Sequence, residues 1–334
     1  MPTIPIHFAT DLEPDAATPT IESATFDNAS VSLREIQARR HEIEDVTGAK
    51  VNFGWYVRMD RQVETLFGSA DAIAARNADL LETAAQEGDE IGLHIHSLEQ
   101  TQDGWRAHYG DPDVIDELIE HSVDGYRKFF GNPCRSARMG DIWTNTRCVQ
   151  KLNQIGIEYD LTAESGMRPY SLSNSYPNTN STGWRPSMLH IKNSPYQPDP
   201  QQFSKIGGDD KLDMWMIPLT AYKRRDYFNP RFWALTALAA ATSGLQNWRI
   251  GRVLRPQEGA TPSDLNAALT EIFDQHMPPS LCVASRNFGE AERIHGFLTS
   301  ICDLAKSRDI RFVTPADYVQ MCQSNSQAGS SAAG

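Results

Sequence analysis

The feature that most constrains the fold of this chain is a regular alternation of short strand-like runs with longer amphipathic stretches. The strand-like runs are mostly apolar, β-branched or aromatic, as in "VNFGWYV", whereas residues 112–130 carry apolar side chains at helical spacing. This alternation is typical of a parallel sheet whose strands are joined by helices. Seven strands are predicted, over residues 4–10, 51–57, 90–96, 134–140, 157–163, 214–220 and 280–287.

The 334-residue chain is predicted to form one domain over residues 1–322. Residues 171–210 interrupt the alternation because they are rich in Ser, Asn, Pro and Gly, and they are interpreted as a long excursion loop. Loops of this length in a compact domain often cover a binding site. Residues 323–334 have low complexity and are expected to be disordered.

The charge of the chain argues against two classes of partner. Lys and Arg total 31 against 43 Asp and Glu, which gives a net charge of −12. A chain of this charge is expected to be repelled by nucleic acid and by anionic membrane surfaces. The longest apolar run, about 14 residues from Phe232, is shorter than the ~20 residues needed to span a bilayer and is predicted to be a buried helix.

The cysteines and the first residues of the chain predict a cytoplasmic location. The five cysteines are odd in number and scattered, without a CxxC pair, so they are expected to be reduced thiols rather than a disulfide framework or a zinc ribbon. The opening "MPTIPIHFATDLEPD" has neither the basic region nor the apolar stretch of a signal peptide.

Two pairs of polar residues stand at predicted strand ends. His94 and His96 are one residue apart in "EIGLHIH", and Asp11 and Glu13 repeat this spacing in "FATDLEPD". Alternate residues of a strand share a face, so the two imidazoles are expected to point the same way, with Cα atoms roughly 6.5 Å apart. The carboxyl ends of strands meet at one edge of a barrel, which is where barrel enzymes place their chemistry.

Two histidines with one carboxylate have the composition of a catalytic site for zinc or a related divalent ion. The second carboxylate is then available as the base for a metal-activated water, a chemistry that hydrolyses amides and esters. Each pair also has a plainer interpretation. A His-x-His at a strand end can be structural, and an Asp-x-Glu after a strand can be a helix cap or a turn.

Three segments resemble the polysaccharide deacetylase superfamily, also called the NodB-homology or carbohydrate esterase family 4 group. They are "IHFATDLEPD", "GDEIGLHIH" and "SARMGDIWTNTRCVQKLNQIGIEYDLTAESG", and the ending "DIRFVTPADYV" is similar to the closing segment of that family. The resemblance implies an α/β fold of the distorted (β/α)7 barrel type. It also implies a zinc or other divalent ion and the removal of an N- or O-acetyl group from a sugar.

Carried over to this chain, the resemblance makes Asp11 the general base and Glu13 a metal ligand. Most members have two adjacent aspartates here, so the roles of Asp11 and Glu13 can be exchanged. His94 matches the first histidine ligand of the family. The second lies four residues later, where this chain has Leu98, so His96 is expected to take its place.

Other family positions are matched in part. The resemblance makes Arg138 the residue that orients the catalytic aspartate, and Trp143 a wall of the substrate pocket. The family usually has a general-acid histidine near the seventh strand, but this chain reads "LCVASRNFG" there. The proton donor is left open among Arg58, Asp60, His108 and a bound water. Arg58 and Asp60 are also predicted to contact substrate, with a surface ion pair as their plain alternative.

Two other histidines, His7 and His295, are interpreted as structural: His7 within the first strand and His295 on an amphipathic helix. The function predicted from the sequence is a metal-dependent hydrolase that deacetylates a sugar or glycan precursor. One alternative is a C–N hydrolase of a non-sugar amide, ureide or formyl group. Another is a degenerate carbohydrate-binding protein that has lost turnover.

Overall fold

The computed structural model describes residues 3–172, 181–222, 252–256, 261–274, 277–286 and 291–331. The apolar run from Phe232, predicted to be a buried helix, lies outside these residues. Within them, no helix is both long and apolar enough to cross a membrane.

The main sheet is parallel throughout and curls into a partial barrel. Its strands are β1 (Ile4–Leu12), β2 (Gly54–Arg58), β3 (Glu90–Ile95), β6 (Ser136–Met139), β7 (Tyr159–Asp160), β10 (Trp215–Met216), β13 (Leu281–Arg286) and β14 (Ile310–Phe312). The order is β10-β7-β6-β3-β2-β1-β13, and β14 also pairs with β1. The seven strands of this path fall within or close to the seven predicted runs, so the predicted barrel of alternating strands and helices is confirmed.

Among the described residues, three two-stranded ribbons lie outside the main sheet, and the sequence did not predict them. They are formed by β4 (Leu98–Thr101) with β5 (Gly104–Ala107), by β8 (Tyr170–Ser171) with β9 (Trp184–Arg185), and by β11 (Ala221–Tyr222) with β12 (Arg252–Val253). The second ribbon begins the predicted excursion 171–210. Its strands are only two residues long, too short to show the alternation from which a strand is predicted.

Helices cover the outer side of the sheet. They are α1 (Asp27–Ala38), α2 (Arg40–Thr47), α3 (Arg61–Phe67), α4 (Ala72–Arg76), α5 (Ala78–Gln86), α6 (Pro112–Phe130), α7 (Thr146–Gln154), α8 (Pro262–Asp274), α9 (Ala291–Ala305) and α10 (Pro315–Ser331). Helix α6 matches the predicted 112–130. The Asp111 side chain accepts from the Asp113 and Val114 amides at its start, and Gly131 ends it with a φ of 71°.

The last helix corrects the expectation of a disordered tail from residue 323. Helix α10 continues to Ser331, so residues 323–331 are helical, while 332–334 lie outside the described residues. The helix begins where the Thr314 hydroxyl accepts from the Asp317 amide, and Tyr318 and Cys322 are buried. Asn325 Nδ2 then donates to the Thr3 carbonyl at 3.1 Å. A helix nucleated by buried residues extends cheaply through a low-complexity sequence.

The inner side of the sheet holds a buried polar pair below the strand ends. His7 Nδ1 lies 2.8 Å from the Val313 carbonyl oxygen, and His7 Nε2 lies 3.2 Å from the Tyr56 hydroxyl. Space for these rings comes from two strand glycines. A Cβ on Gly54 would lie 2.7 Å from His7 Nε2, and one on Gly92 would lie 2.5 Å from the Tyr56 ring. Tyr56 therefore fills the barrel, and His7 lines the interior as predicted.

Candidate active site

The candidate site lies where β1 and β3 end, at the carboxyl edge of the sheet. Asp11 stands on β1 and Glu13 follows its last residue, while His94 stands on β3 and His96 follows that strand. His94 pairs in register with Arg138 of β6. Because all these strands are parallel, their carboxyl ends bring residues that are distant in sequence to one edge. The structure thus brings together both residue pairs identified in the sequence.

The imidazoles of His94 and His96 and the carboxylate of Glu13 converge on one point. The two Nε2 atoms are 3.0 Å apart, and Glu13 Oε2 lies 3.8 Å from His94 Nε2 and 3.4 Å from His96 Nε2. Ligands bound tetrahedrally to zinc at about 2.0–2.1 Å are about 3.3–3.4 Å apart, which is close to these spacings. All three side chains are at most 3% exposed. Among the described residues, Glu13, His94 and His96 form the one group of this kind that could hold a metal ion.

His94 is held in the tautomer that a metal ligand requires. Its Nδ1 lies 3.0 Å from the Arg138 carbonyl oxygen, which can only accept, so Nδ1 carries the proton and Nε2 has a free lone pair. Burial lowers the pKa of His94 to about 4, although Asp11 acts in the opposite direction. His94 is therefore neutral at neutral pH, as metal ligation demands.

His96 is fixed from two sides. Its backbone amide donates to Asp60 Oδ2 at 3.0 Å, and its Nδ1 faces Asp141 Oδ2 at 3.4 Å. Burial and Arg58 lower the pKa of His96, but Asp141 and Glu13 outweigh them, and the net pKa is raised. Without a shared cation or proton, two imidazole lone pairs 3.0 Å apart repel each other. The donor set therefore fits a divalent cation bound between them.

Glu13 is kept ionised by Arg286 and by its contacts with the two histidines. Burial alone would raise the pKa of its carboxyl, but Arg286 and the two histidines outweigh this and hold the pKa well below its usual range. Arg286 Nε is 3.5 Å from Glu13 Oε1, and Arg58 Nη1 is 3.8 Å from Oε2. A carboxylate that stays charged while buried is suited to ligate a metal.

Asp11 lies beside this group and is clamped by Arg138. Arg138 Nε donates to both carboxylate oxygens, at 3.0 and 3.1 Å, and its Nη1 donates to the Leu161 carbonyl at 3.1 Å. Asp11 Oδ1 is also 3.8 Å from His94 Nδ1. The carboxylate is fully buried and its orientation is set by the guanidinium.

Arg58 and Asp60, two of the three residues predicted to contact substrate, lie next to this group, and the substrate role of all three stays a prediction. Arg58 donates to both oxygens of Asp60, at 2.8 and 2.9 Å, and both side chains are at most 1% exposed. Asp60 also accepts from the Gln62 and Val63 amides at the start of α3. Arg58 and Asp60 therefore form a buried ion pair and not a surface ion pair. Trp143 is 3% exposed and stacks on Tyr109 with ring centroids 4.6 Å apart.

Two polar residues of the site, Asp141 and Arg286, were not singled out in the sequence. Asp141 faces His96, Tyr109 donates to Asp141 Oδ2 at 3.0 Å, and Arg286 ends β13 next to Glu13. Asp141 could have been noticed because it follows the arginine motif in "RMGDIW". Arg286 could have been noticed because it occupies the end of the seventh predicted strand. Nothing in the sequence indicated Tyr109 beyond its being aromatic.

Gly140 is required by the packing of His96. A Cβ at this position would lie 2.2–2.3 Å from three atoms of the imidazole ring, a distance that no side chain can tolerate. The backbone of Gly140 therefore forms the wall against which His96 lies.

Two other histidines considered in the sequence, His108 and His295, make their contacts with other residues. His108 Nδ1 is 3.4 Å from Glu99, and both line a cavity of about 290 Å³ that also contains Trp105. His295 Nε2 is 3.1 Å from Glu35 on the outer helices, in agreement with a structural role. The sequence contains no histidine between Arg286 and His295. The last residue of the seventh strand is Arg286, so a guanidinium stands at this strand end.

The fold is that of the NodB-like, carbohydrate esterase family 4 barrel. A crystal structure described as a polysaccharide deacetylase from Mycobacterium smegmatis superimposes with a TM-score of 0.54 at 13% identity, covering 97% of this chain and 91% of the other. The crystal structure of Puue allantoinase superimposes with a TM-score of 0.51 at 11% identity, covering 96% and 90%. At these identities the similarity concerns the fold.

Comparison by sequence finds no relative. No protein-family model matches the chain, and no curated protein matches it.

Proposed function

We propose that this protein is a metal-dependent hydrolase that removes an N-acetyl or O-acetyl group from a sugar or glycan precursor. The observation that carries the proposal is the convergence of His94, His96 and Glu13 within 3.0–3.8 Å of one another, with Asp11 beside them. The fold similarity to a polysaccharide deacetylase supports the same reaction class.

In this proposal His94, His96 and Glu13 hold the divalent ion, with zinc the first candidate because the donors are two imidazoles and a carboxylate. When bound, such an ion supplies Lewis acidity, which lowers the pKa of an attacking water and polarises the carbonyl. The buried histidines contribute neutral lone pairs, and the ionised Glu13 contributes negative charge.

Asp11 is proposed as the general base. Its carboxylate lies 3.8 Å from His94 and does not belong to the three-residue group, so it is available to accept a proton from water. The guanidinium of Arg138 keeps both oxygens in place while this happens. Deacetylation also needs a proton for the leaving group. The family usually has a general-acid histidine near the seventh strand, but here that strand ends in Arg286. We therefore assign the return of that proton to Asp11.

A second candidate function is hydrolysis of a non-sugar amide or ureide. The similarity of the fold to an allantoinase supports this candidate. The same metal and base would serve either carbonyl, so the substrate is decided by the residues around the mouth.

The decisive experiment combines elemental analysis with product detection. Purified protein is expected to contain one divalent ion per chain and to release acetate from N-acetylated or O-acetylated sugars. Release of a free amine or ammonia from a ureide without acetate would favour the second candidate. Absence of metal from a folded protein, even after dialysis against zinc, would contradict both and leave the carbohydrate-binding alternative.

We propose a cytoplasmic location as well. All five cysteines are buried free thiols, a pattern that suits a reducing compartment.

A further inference from the structure

We propose that Asp141 is the positioning residue of His96, and that the Tyr109 hydroxyl fixes Asp141 in that task. The inference rests on the proposed function, because His96 is there a metal ligand. By this inference, Asp141 and Tyr109 allow His96, two residues after His94, to serve as the second metal ligand.

The two histidines differ in the group that faces the ring nitrogen directed away from the proposed cation position. For His94 this partner is a backbone carbonyl, that of Arg138, at 3.0 Å. For His96 the facing group is a side chain, Asp141, with Oδ2 3.4 Å from Nδ1. A carboxylate in this place keeps the proton on Nδ1, leaves the Nε2 lone pair for the metal and increases the basicity of the ligand.

Tyr109 determines which way Asp141 points. The Ser97 amide donates to the Tyr109 hydroxyl at 3.2 Å, so the hydroxyl proton is directed elsewhere, and Asp141 Oδ2 accepts it at 3.0 Å. The same oxygen therefore faces both Tyr109 and His96. Since Ser97 directly follows His96, the contact also ties Asp141 to the backbone next to the ligand.

The backbone at Asp141 is held in an unusual conformation. Asp141 has a φ of 54° and Ile142 a φ of 55°, both in the left-handed region. Such a φ is tolerated by aspartate but is rare for a β-branched residue such as isoleucine. Strained backbone of this kind persists where the surrounding structure requires it, and it clusters at functional sites. The preceding Gly140 lies against the His96 ring, so the turn presents both a wall and a carboxylate to the imidazole.

The position of the second histidine explains the need for this support. Leu98, where the resemblance places that histidine, begins β4 and is 6% exposed. His96 instead follows directly after Ile95, the last residue of β3. Its ring packs against Gly140 and faces Asp141, while its backbone amide donates to Asp60 Oδ2.

The test is the affinity of the metal-free protein for zinc, measured by competition with a chromogenic chelator. Asp141→Asn is expected to weaken zinc binding about tenfold and Asp141→Ala about a hundredfold, the range found when carboxylates behind metal-bound histidines are removed. Tyr109→Phe is expected to weaken it severalfold. Asp89→Asn and Tyr126→Phe are the controls. Asp89 pairs with Arg40, and the Tyr126 hydroxyl donates to the Ile91 carbonyl, so neither contacts the site.

Three outcomes would overturn the inference, and they are distinguishable. If wild-type protein binds zinc stoichiometrically and folded Asp141→Ala binds it equally tightly, Asp141 does not position His96, while the proposed function stands. If the wild-type protein binds no divalent ion, the proposed function fails and this inference fails with it. Equal weakening by Asp89→Asn would mean that general destabilisation is being measured, and it would also count against Asp141.

Discussion

Arg138 holds Asp11 through a single nitrogen, Nε, which donates to both carboxylate oxygens at 3.0 and 3.1 Å. The backbone carbonyl of the same arginine faces His94 Nδ1 at 3.0 Å. One residue of β6 thus orients both the proposed base and a proposed ligand. Any shift of β6 relative to β1 and β3 would disturb both functions together.

Asp11→Asn should separate catalysis from metal binding. The amide preserves the shape of the carboxylate but cannot accept a proton, so kcat is expected to fall by about 10²–10⁴ while one zinc per chain is retained. The measurement is acetate release beside elemental analysis of the same preparation. If zinc is lost and Glu13→Gln keeps it, the roles of Asp11 and Glu13 are exchanged.

His94→Ala is expected to abolish stoichiometric metal binding, because the three-residue group then keeps only two donors. Elemental analysis after dialysis against zinc gives the readout. His41→Ala is the control, since His41 is 91% exposed. Full zinc content in the His94 variant would show that the ion is held elsewhere.

The sequence indicated the strands, and therefore the edge at which the site forms, because apolar runs and helical stripes are local properties. It also indicated His94, His96, Asp11 and Glu13, since alternate residues of a strand must share a face. The position of Arg286 beside Glu13 was not predictable, because it depends on the register between β1 and β13. Asp141 was missed for a different reason. Its contact with His96 depends on a left-handed turn at residues that rarely adopt one.

His7 should make the stability of the fold depend on pH. Burial lowers its pKa to about 4 from an ordinary 6.5, so between these values the unfolded chain binds a proton that the folded chain does not. The contribution is complete above pH 6.5 and is lost as the pH falls towards 4. At pH 4.5 the loss is about 2–3 kcal/mol in the free energy of unfolding.

Urea unfolding of metal-free wild type and His7→Gln at pH 7.0 and 4.5 checks this. The variant is expected to lose about 2–3 kcal/mol less between the two pH values than wild type. His41→Gln, a change at an exposed histidine, should behave as wild type. Parallel losses in wild type and His7→Gln would contradict the assignment.

Two substitutions of Asp141 separate the effect of backbone strain on stability from the effect of the carboxylate on zinc binding. Asp141→Gly and Asp141→Ala both remove the carboxylate, but only glycine adopts a φ of 54° without cost. The glycine variant is therefore expected to be more stable than the alanine variant by about 1 kcal/mol, with equally weak zinc binding. At Asp116, inside α6, the order should reverse, because glycine destabilises a helix. Equal stability of the two Asp141 variants would indicate an unstrained turn.

Gly140→Ala is expected to weaken zinc binding at the proposed metal site, because the added methyl group displaces the His96 ring. The added Cβ would lie 2.2–2.3 Å from the His96 ring, so the imidazole must move and zinc affinity is expected to fall at least tenfold. Gly296→Ala in α9 is the matched control, since a Cβ there meets no atom within 4 Å. Unchanged zinc affinity in a folded Gly140→Ala protein would show that His96 does not depend on this wall.

Both imidazoles lie on a single strand and its immediate continuation, and this has a consequence for how the protein would exchange the proposed cation. Their separation is set by the backbone repeat of β3, which pairs with β2 over residues 90–94 and with β6 over residues 93–95. Removing the ion should therefore leave the donor atoms nearly where they were. Binding and removal of the ion should then be reversible at a rigid site, without refolding of a loop. The metal-free protein should unfold thermally in a single cooperative transition.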